Sequence, residues 1–346
     1  MEKSISNLSS VTTVGLDLAK LVFQVHCVDT SGRVVFAKTM KRKKVLVFFA
    51  ALPPCVVGLE ACGSAHHWAR ELIKLGHDAR IMPPAYVKPY VRRQKNDAAD
   101  ASAICEAVTR PSMRFVGVRT LENQATPMHH KAREMLVARR TQLLNSLRGH
   151  LAEIGVIAPQ GQRHAHQLAD RIEARDETIP LSVCEALAPL VVQLRYLDVA
   201  IAQLDRTIAK MAHKDETARR LMTVPGVGPI TASAMVANVQ DASGFSGARE
   251  FAAFLGLAPR QNSSGGKQRL GRISKMGNRY LRKLLVVGAH AVLYHRKPHA
   301  DALRMWAKKL MEKKPFKLVA VALANKMARI AFAILRARTI YNPIAA

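Results

Sequence analysis

Acidic side chains are scarce in this sequence: 25 Asp and Glu stand against 53 Lys and Arg in 346 residues, a formal charge of +28. That imbalance points to a polyanionic partner, and for a soluble chain the commonest is nucleic acid. Aromatic residues are also sparse, at 5%. Their scarcity excludes a base-stacking platform as the main binding mode and leaves phosphate contacts, whose affinity falls steeply as salt rises. The five cysteines, Cys27, Cys55, Cys62, Cys105 and Cys184, form no Cys-x-x-Cys pair, so neither a disulfide scaffold nor a zinc ribbon is expected. The N-terminus has no continuous apolar signal region, and the late apolar run from Leu318 to Leu335 is broken by Lys326 and Arg329. The expectation is a cytoplasmic protein without membrane segments.

Hydrophobic residues are plentiful at 49%, enough for two or three cores in a chain of this length. Charge divides the chain into three parts. Residues 1–116 hold 17 basic and 9 acidic side chains, residues 117–259 hold 16 and 14, and residues 260–346 hold 20 and 2. The tail is therefore the main polyanion-binding surface and the middle a nearly neutral spacer. With element boundaries taken into account, the domains expected are 1–116, 117–215 and 216–346.

In the first domain Val11–Leu18, Val22–Val28 and Arg33–Lys38 form an antiparallel meander, with turn chemistry at Asp29–Gly32. Asp17 lies inside the first strand, where acids are depleted. Cys55–Glu60 is a short buried strand ending in an acid. A helix from Gly63-Ser64 to about Leu75 follows, then a strand over His77–Met82 and a basic loop, Lys88–Lys95. That loop leads into a helix with Asp97 and Asp100 in its first turn, three apart and so on one face. Arg92, Arg93 and Lys95 flank the pair as candidate nucleic-acid contacts. Taken alone, Asp97 serves as a helix cap and Asp100 interacts with the helix dipole. Taken with Asp17 and Glu60, four acids from three segments converge at one end of a mixed α/β sheet, a donor set for Mg²⁺ or Mn²⁺ in phosphoryl transfer.

In the middle, a helix is expected from Pro127 to Glu153 and a loop over Gly155–Gln167. A capping box is expected at Ser182–Glu185. Leu187, Leu190, Leu194, Leu197, Ile201, Leu204, Ile208 and Met211 alternate spacings of three and four, a coiled-coil seam in which Pro189 kinks or delays the helix start. The seam serves either an antiparallel pairing with the preceding helix or a dimer contact. The paired or closely spaced histidines His66, His67, His129, His130, His164 and His166 are expected to be solvated or phosphate-facing rather than metal ligands.

In the all-α tail, Gly226 and Gly228 lie in Thr223–Ala232, a tight turn between helices that can present backbone N–H groups to a phosphate. It resembles a helix-hairpin-helix. Further on, Gln261–Lys267 reads as a flexible loop containing Ser263, Ser264, Gly265 and Gly266. Lys267, Arg269, Arg272, Lys275, Arg279, Arg282 and Lys283 lie close to it. A serine hydroxyl among such cations can attack a phosphodiester.

The order of the acids resembles the RuvC-like branch of the RNase H fold. More narrowly, Gly15-Leu16-Asp17-Leu18-Ala19-Lys20, Leu59-Glu60-Ala61-Cys62-Gly63 and Lys95-Asn96-Asp97-Ala98-Ala99-Asp100-Ala101 resemble the acidic motifs of the insertion-sequence-110 family of bacterial transposases. Cys62 stands where that family often has Thr. The tail is similar to the family's second domain, in which a nucleophilic serine precedes a glycine and a Gly-Asn-x-x-Leu-Arg helix follows, here Gly277–Arg282. Ser264 is the matching position, with Ser263 one residue away. The resemblance implies a DNA transposase or recombinase in which Ser264 forms a transient phosphoserine and Asp17, Glu60, Asp97 and Asp100 hold the metal. It also implies a dimer or tetramer with a composite site, donor and target DNA, and a structured guide RNA. The alternatives are a RuvC-like junction-resolving nuclease that uses water and a non-catalytic nucleic-acid-binding protein.

Overall fold

The structure, a computed structural model, describes residues 8–91, 96–239, 241–267, 269–295 and 301–344. Contacts divide the chain into two units, Met1–Glu122 and Asn123–Ala346.

The first unit is built on a five-stranded sheet in the order β3-β2-β1-β4-β5. Its strands are β1 (Thr13–Asp17), β2 (Val22–Val28), β3 (Val34–Lys41), β4 (Val56–Glu60) and β5 (Asp78–Met82). β1 to β3 form the expected antiparallel meander, while β4 runs parallel to β1 and β5 parallel to β4. Composition explains the placement. β1 and β4 are short, apolar and covered on both faces, as central strands are. β2 alternates buried and half-exposed residues, and β3, exposed or half-exposed along its length and carrying Lys38 and Lys41, lies at the edge. The helices are α1 (Val45–Ala50), α2 (Ala65–Lys74), α3 (Pro84–Val87) and α4 (Asp97–Val108). Phe49 of α1 and Trp68 and Leu72 of α2 are buried with Leu16, Phe23 and Leu59 of the sheet.

The second unit is helical apart from one hairpin: α5 (Leu121–Glu153, which begins just before the unit boundary), α6 (Gln162–Glu173), α7 (Leu181–Lys214), α8 (Glu216–Leu221), α9 (Pro229–Asn238), α10 (Ala248–Phe254), β6 (Pro259–Gln261), β7 (Leu270–Ile273), α11 (Arg279–Tyr294), α12 (Ala302–Met311) and α13 (Phe316–Ala337). α5 and α7 run antiparallel, with ion pairs Arg133–Asp205 and Arg140–Asp198 between them. The leucine seam is thus occupied within the chain. Leu187 and Leu194 pack with Leu144, Leu147 and Leu151 of α5 and Leu168 and Ile172 of α6.

Several local expectations are corrected. Part of the expected loop, from Gln162 on, is the amphipathic helix α6, which buries Ala165, Leu168, Ala169 and Ile172. Polar residues around a short apolar face had hidden it. The capping box does not form: Pro180 stands at the cap position and α7 begins at Leu181, so Ser182 and Glu185 are already inside the helix. Pro127 and Pro189 both lie inside continuous helices rather than at their starts. By length and hydropathy α7 and α13 match membrane-spanning helices, but each carries an apolar face that packs in the cores of this unit.

Where α5 meets the tail, the buried His130 sits between Tyr280 Oη and Ser233 Oγ, 3.1 Å from each. Burial, reinforced by nearby Arg133, lowers its pKa to about 4, so the ring is neutral and structural near pH 7.

Candidate functional site

Asp17 ends β1 and Glu60 ends β4. The strands are parallel neighbours, with Leu16 paired to Leu59, so both acids leave the sheet at the same edge. On its other side β1 pairs antiparallel with β2.

Two glycines bring in the other acids. A Cβ on Gly15 would lie 2.1 Å from the Ala101 carbonyl oxygen and 2.6 Å from the Cys105 amide nitrogen; one on Gly58 would lie 2.9 Å from Val108 Cβ. Bare backbone at these positions lets α4 lie directly on β1 and β4, and its first turn then carries Asp97 and Asp100 to the strand ends. Asn96, not Asp97, caps α4: its side-chain oxygen accepts from the Ala98 amide at 3.0 Å. The cap reading of Asp97 is therefore corrected, and its carboxylate is available to the cluster.

One carboxylate oxygen from each of Asp17, Asp97 and Asp100 lies within 4.8 Å of the others. Glu60 lines the same cleft of 720 Å³, together with Cys62, Pro84 and Lys88. Burial, then the charges of Asp100 and Asp97, raise the pKa of Asp17. Burial, then Asp17 and Asp100, raise that of Glu60. Carboxylates that repel one another at this range fit a divalent cation, which would neutralise them, and an all-oxygen donor set favours a hard one. Gly15→Ala should push α4 off the sheet and destabilise the protein by about 1–3 kcal/mol, read as a lower urea midpoint. The prediction fails if the urea midpoint is unchanged.

Arg92, Arg93 and Lys95 lie outside the described residues. Lys88, from the same basic stretch, lines the acid cleft, although nothing local marked it out among its basic neighbours. The signal for Gly15 and Gly58 was legible, because glycine inside a strand often marks close backbone approach. Of the histidines, His66 accepts from the Arg119 amide, His164 faces the Gln160 carbonyl and His166 faces Asp198. Among the described residues no histidine belongs to a group of three or more potential metal ligands.

In the second unit the serine loop forms the turn of a hairpin. β6 and β7 pair antiparallel, and Ser264 bridges to Lys267 across a turn in which Gly265 and Gly266 both have positive φ. Ser263 Oγ accepts from the Arg269 amide at 3.1 Å. Ser264 is exposed at the turn, and among the described residues its hydroxyl has no hydrogen-bond partner. Lys267, Arg269, Arg272, Lys275 and Arg279 are all exposed nearby in sequence. Arg282 is engaged instead by the carbonyls of Leu255 and Met276, at 2.9 and 2.7 Å, and Lys283 lies 3.9 Å from Glu134. Gly228 is exposed at the start of α9, whereas Gly226 packs against α11, where an added Cβ would lie 2.7 Å from the Gly288 carbonyl oxygen.

Comparison with known proteins places both units. Residues 14–156 match a family model described as a transposase, and residues 218–304 match one described as transposase of the IS116/IS110/IS902 family. The chain is 48% identical to a probable family 20 transposase of Pseudomonas aeruginosa, over 96% of this chain and 99% of that protein. It is 41% identical to a putative transposase of Sinorhizobium fredii, over 97% and 87%. With the transposase for insertion sequence element IS1328 of Yersinia enterocolitica the identity is 37%, over 97% and 100%.

Proposed function

This chain belongs to the IS116/IS110/IS902 family of transposases, and we propose that it cuts and rejoins insertion-sequence DNA through a phosphoserine on Ser264, with Asp17, Glu60, Asp97 and Asp100 holding Mg²⁺ or Mn²⁺ beside the scissile phosphate. The observation that carries the reading is the gathering of these acids from β1, β4 and α4 into one cleft of a chain with a charge of +28. The strand order and the acids at the ends of adjacent parallel strands support a RuvC-like RNase H fold. The turn between α8 and α9 supports a helix-hairpin-helix role, with Gly228 at the exposed helix start.

A divalent cation held by the acids would supply positive charge against the negative charge that develops on the phosphate oxygens. Ser264 is the nucleophile. Its Oγ bonds to phosphorus as the bond to the leaving sugar oxygen breaks; the serine gives up its proton and the sugar oxygen takes one. Attack by another strand's hydroxyl on the phosphoserine then releases Ser264 and joins the DNA. Lys267, Arg269, Arg272, Lys275 and Arg279, with Arg92, Arg93 and Lys95, hold the backbone by phosphate contacts. The acids and Ser264 meet in one composite site within a cytoplasmic homodimer or homotetramer, and a structured RNA selects donor and target DNA.

The test is to incubate the protein with supercoiled DNA bearing its element, RNA transcribed from that element and Mg²⁺, denature the mixture, and map any nucleotide-modified peptide by mass spectrometry. A deoxynucleotide adduct on Ser264 is expected. Cutting without an adduct would favour the water-using junction nuclease. Binding without any cutting would favour the non-catalytic reading.

A further inference from the structure

A second cavity lies within the helical unit, away from the turn that carries Ser264 but walled by the same hairpin. This groove of 1470 Å³ runs between the hairpin residues Pro259 and Gly271–Ile273 and the helices α12 and α13. Its floor is apolar, formed by residues such as Val321 and Ile330, and the half-buried Trp306 closes one side. Its other lining residues include Arg272, Lys326 and Arg329, and among the described residues no Asp or Glu lines it. Lys326 Nζ lies 4.8 Å from the centre of the Trp306 ring.

A surface that only follows phosphates needs cations but no apolar recess. A recess for an uncharged apolar ligand needs no ring of cations. Both together suit a flat, aromatic ligand flanked by anionic groups, which describes a nucleobase turned out of its stack with phosphates on either side. Such a base stacks on an indole at a cost in unstacking that is least for a single strand. Aromatics are too few in this chain for a continuous stacking platform, but a single slot needs only one.

We propose that this groove receives one unstacked base of the DNA strand that runs to Ser264. The base lies against Trp306 on the apolar floor. Lys326, on its flexible stem, moves from the indole to a flanking phosphate, and Arg272 and Arg329 hold the backbone on either side. The choice of DNA as occupant rests on the reading of Ser264 as the residue that attacks DNA. Pro259 in the groove wall is five residues from Ser264, about 16 Å along an extended strand. A base held in the groove would therefore fix the strand's register a short run of nucleotides from the cut.

The test uses the full chain carrying Ser264→Ala, so that no cleavage intervenes and failure of the phosphoserine chemistry leaves the result readable. Fluorescence anisotropy measures binding of labelled dT12, of a 12-mer with abasic residues throughout, and of rU12. dT12 should bind about tenfold tighter than the abasic strand. Trp306→Ala should remove that difference, and Trp306→Phe, which keeps an aromatic face, should retain most of it. Equal affinity for dT12 and the abasic strand would overturn the proposal, as would an unchanged preference in Trp306→Ala. Tighter binding of rU12 than dT12 would overturn the assignment to DNA. If Trp306→Ala fails to fold, a 5-iodouracil strand cross-linked to the unaltered Trp306 is expected, and cross-linking confined to other residues would overturn the slot.

Discussion

Asp17→Asn should lower strand cleavage by about a thousandfold or more, the scale of losing a transition-state charge contact in a sheltered site. Asp17, like Asp100, is coupled to every other acid of the cluster. It ends the central strand, its oxygen lies within 4.8 Å of those of Asp97 and Asp100, and its charge is among the causes of the raised pKa of Glu60. An amide keeps the shape but supplies half the oxygens and no charge, so cation affinity falls with activity. The same substitution should raise the melting temperature of the metal-free protein. Asp17 and Glu60 both have folded-state pKa values raised above 3.8 and 4.5. The folded state therefore binds more protons than the unfolded one across this range. Stability is fully present below the ordinary pKa values and is lost as pH rises through the raised ones. At neutral pH the clustered charges thus oppose folding, and removing one relieves them. Cleavage assays, with melting curves taken with and without Mg²⁺, check both halves. Full activity in Asp17→Asn, or melting raised by Mg²⁺ as much as in the unaltered protein, would remove the acid cluster from the mechanism.

Ser264→Ala should eliminate the covalent protein–DNA adduct and reduce strand exchange to background, a loss of about 10⁴-fold or more for an essential nucleophile. Ser263→Ala is the informative partner. Ser263 accepts a backbone bond across the hairpin, so its loss should weaken the turn and slow the reaction modestly while the adduct remains. The acids stay intact in both variants, so Mg²⁺ binding should be unchanged. An adduct that persists in Ser264→Ala and vanishes in Ser263→Ala would transfer the role to Ser263. Cutting at the normal rate without either serine would leave the acids working with water.

Much of the first unit was legible because its signals are local. The alternation in Val22–Val28, the turn at Asp29–Gly32 and the acids ending Val56–Glu60 each depend on a few adjacent residues, and the strands form close to where those patterns lie. Local rules also failed where two neighbours competed for one role. Asn96 and Asp97 can both cap a helix, and the choice of Asn96 is what leaves Asp97 free for the cleft. Ser263 and Ser264 are chemically alike, and the cross-strand bond to Ser263 distinguishes them only once the hairpin has closed.

The sequence by itself determined the charge that demands a polyanion, the strands and helices that bear the acids, and the presence of a serine among cations, because composition and short-range periodicity are properties of the chain alone. Only the tertiary structure decided which surfaces meet. α4 descends onto β1 and β4 because Gly15 and Gly58 present no side chain to hold it off, and the first part of the leucine seam of α7, Leu187 to Leu194, is occupied by α5 and α6. A pattern of apolar residues states that a face must be covered but not by what, since the partner is a distant segment chosen by fit.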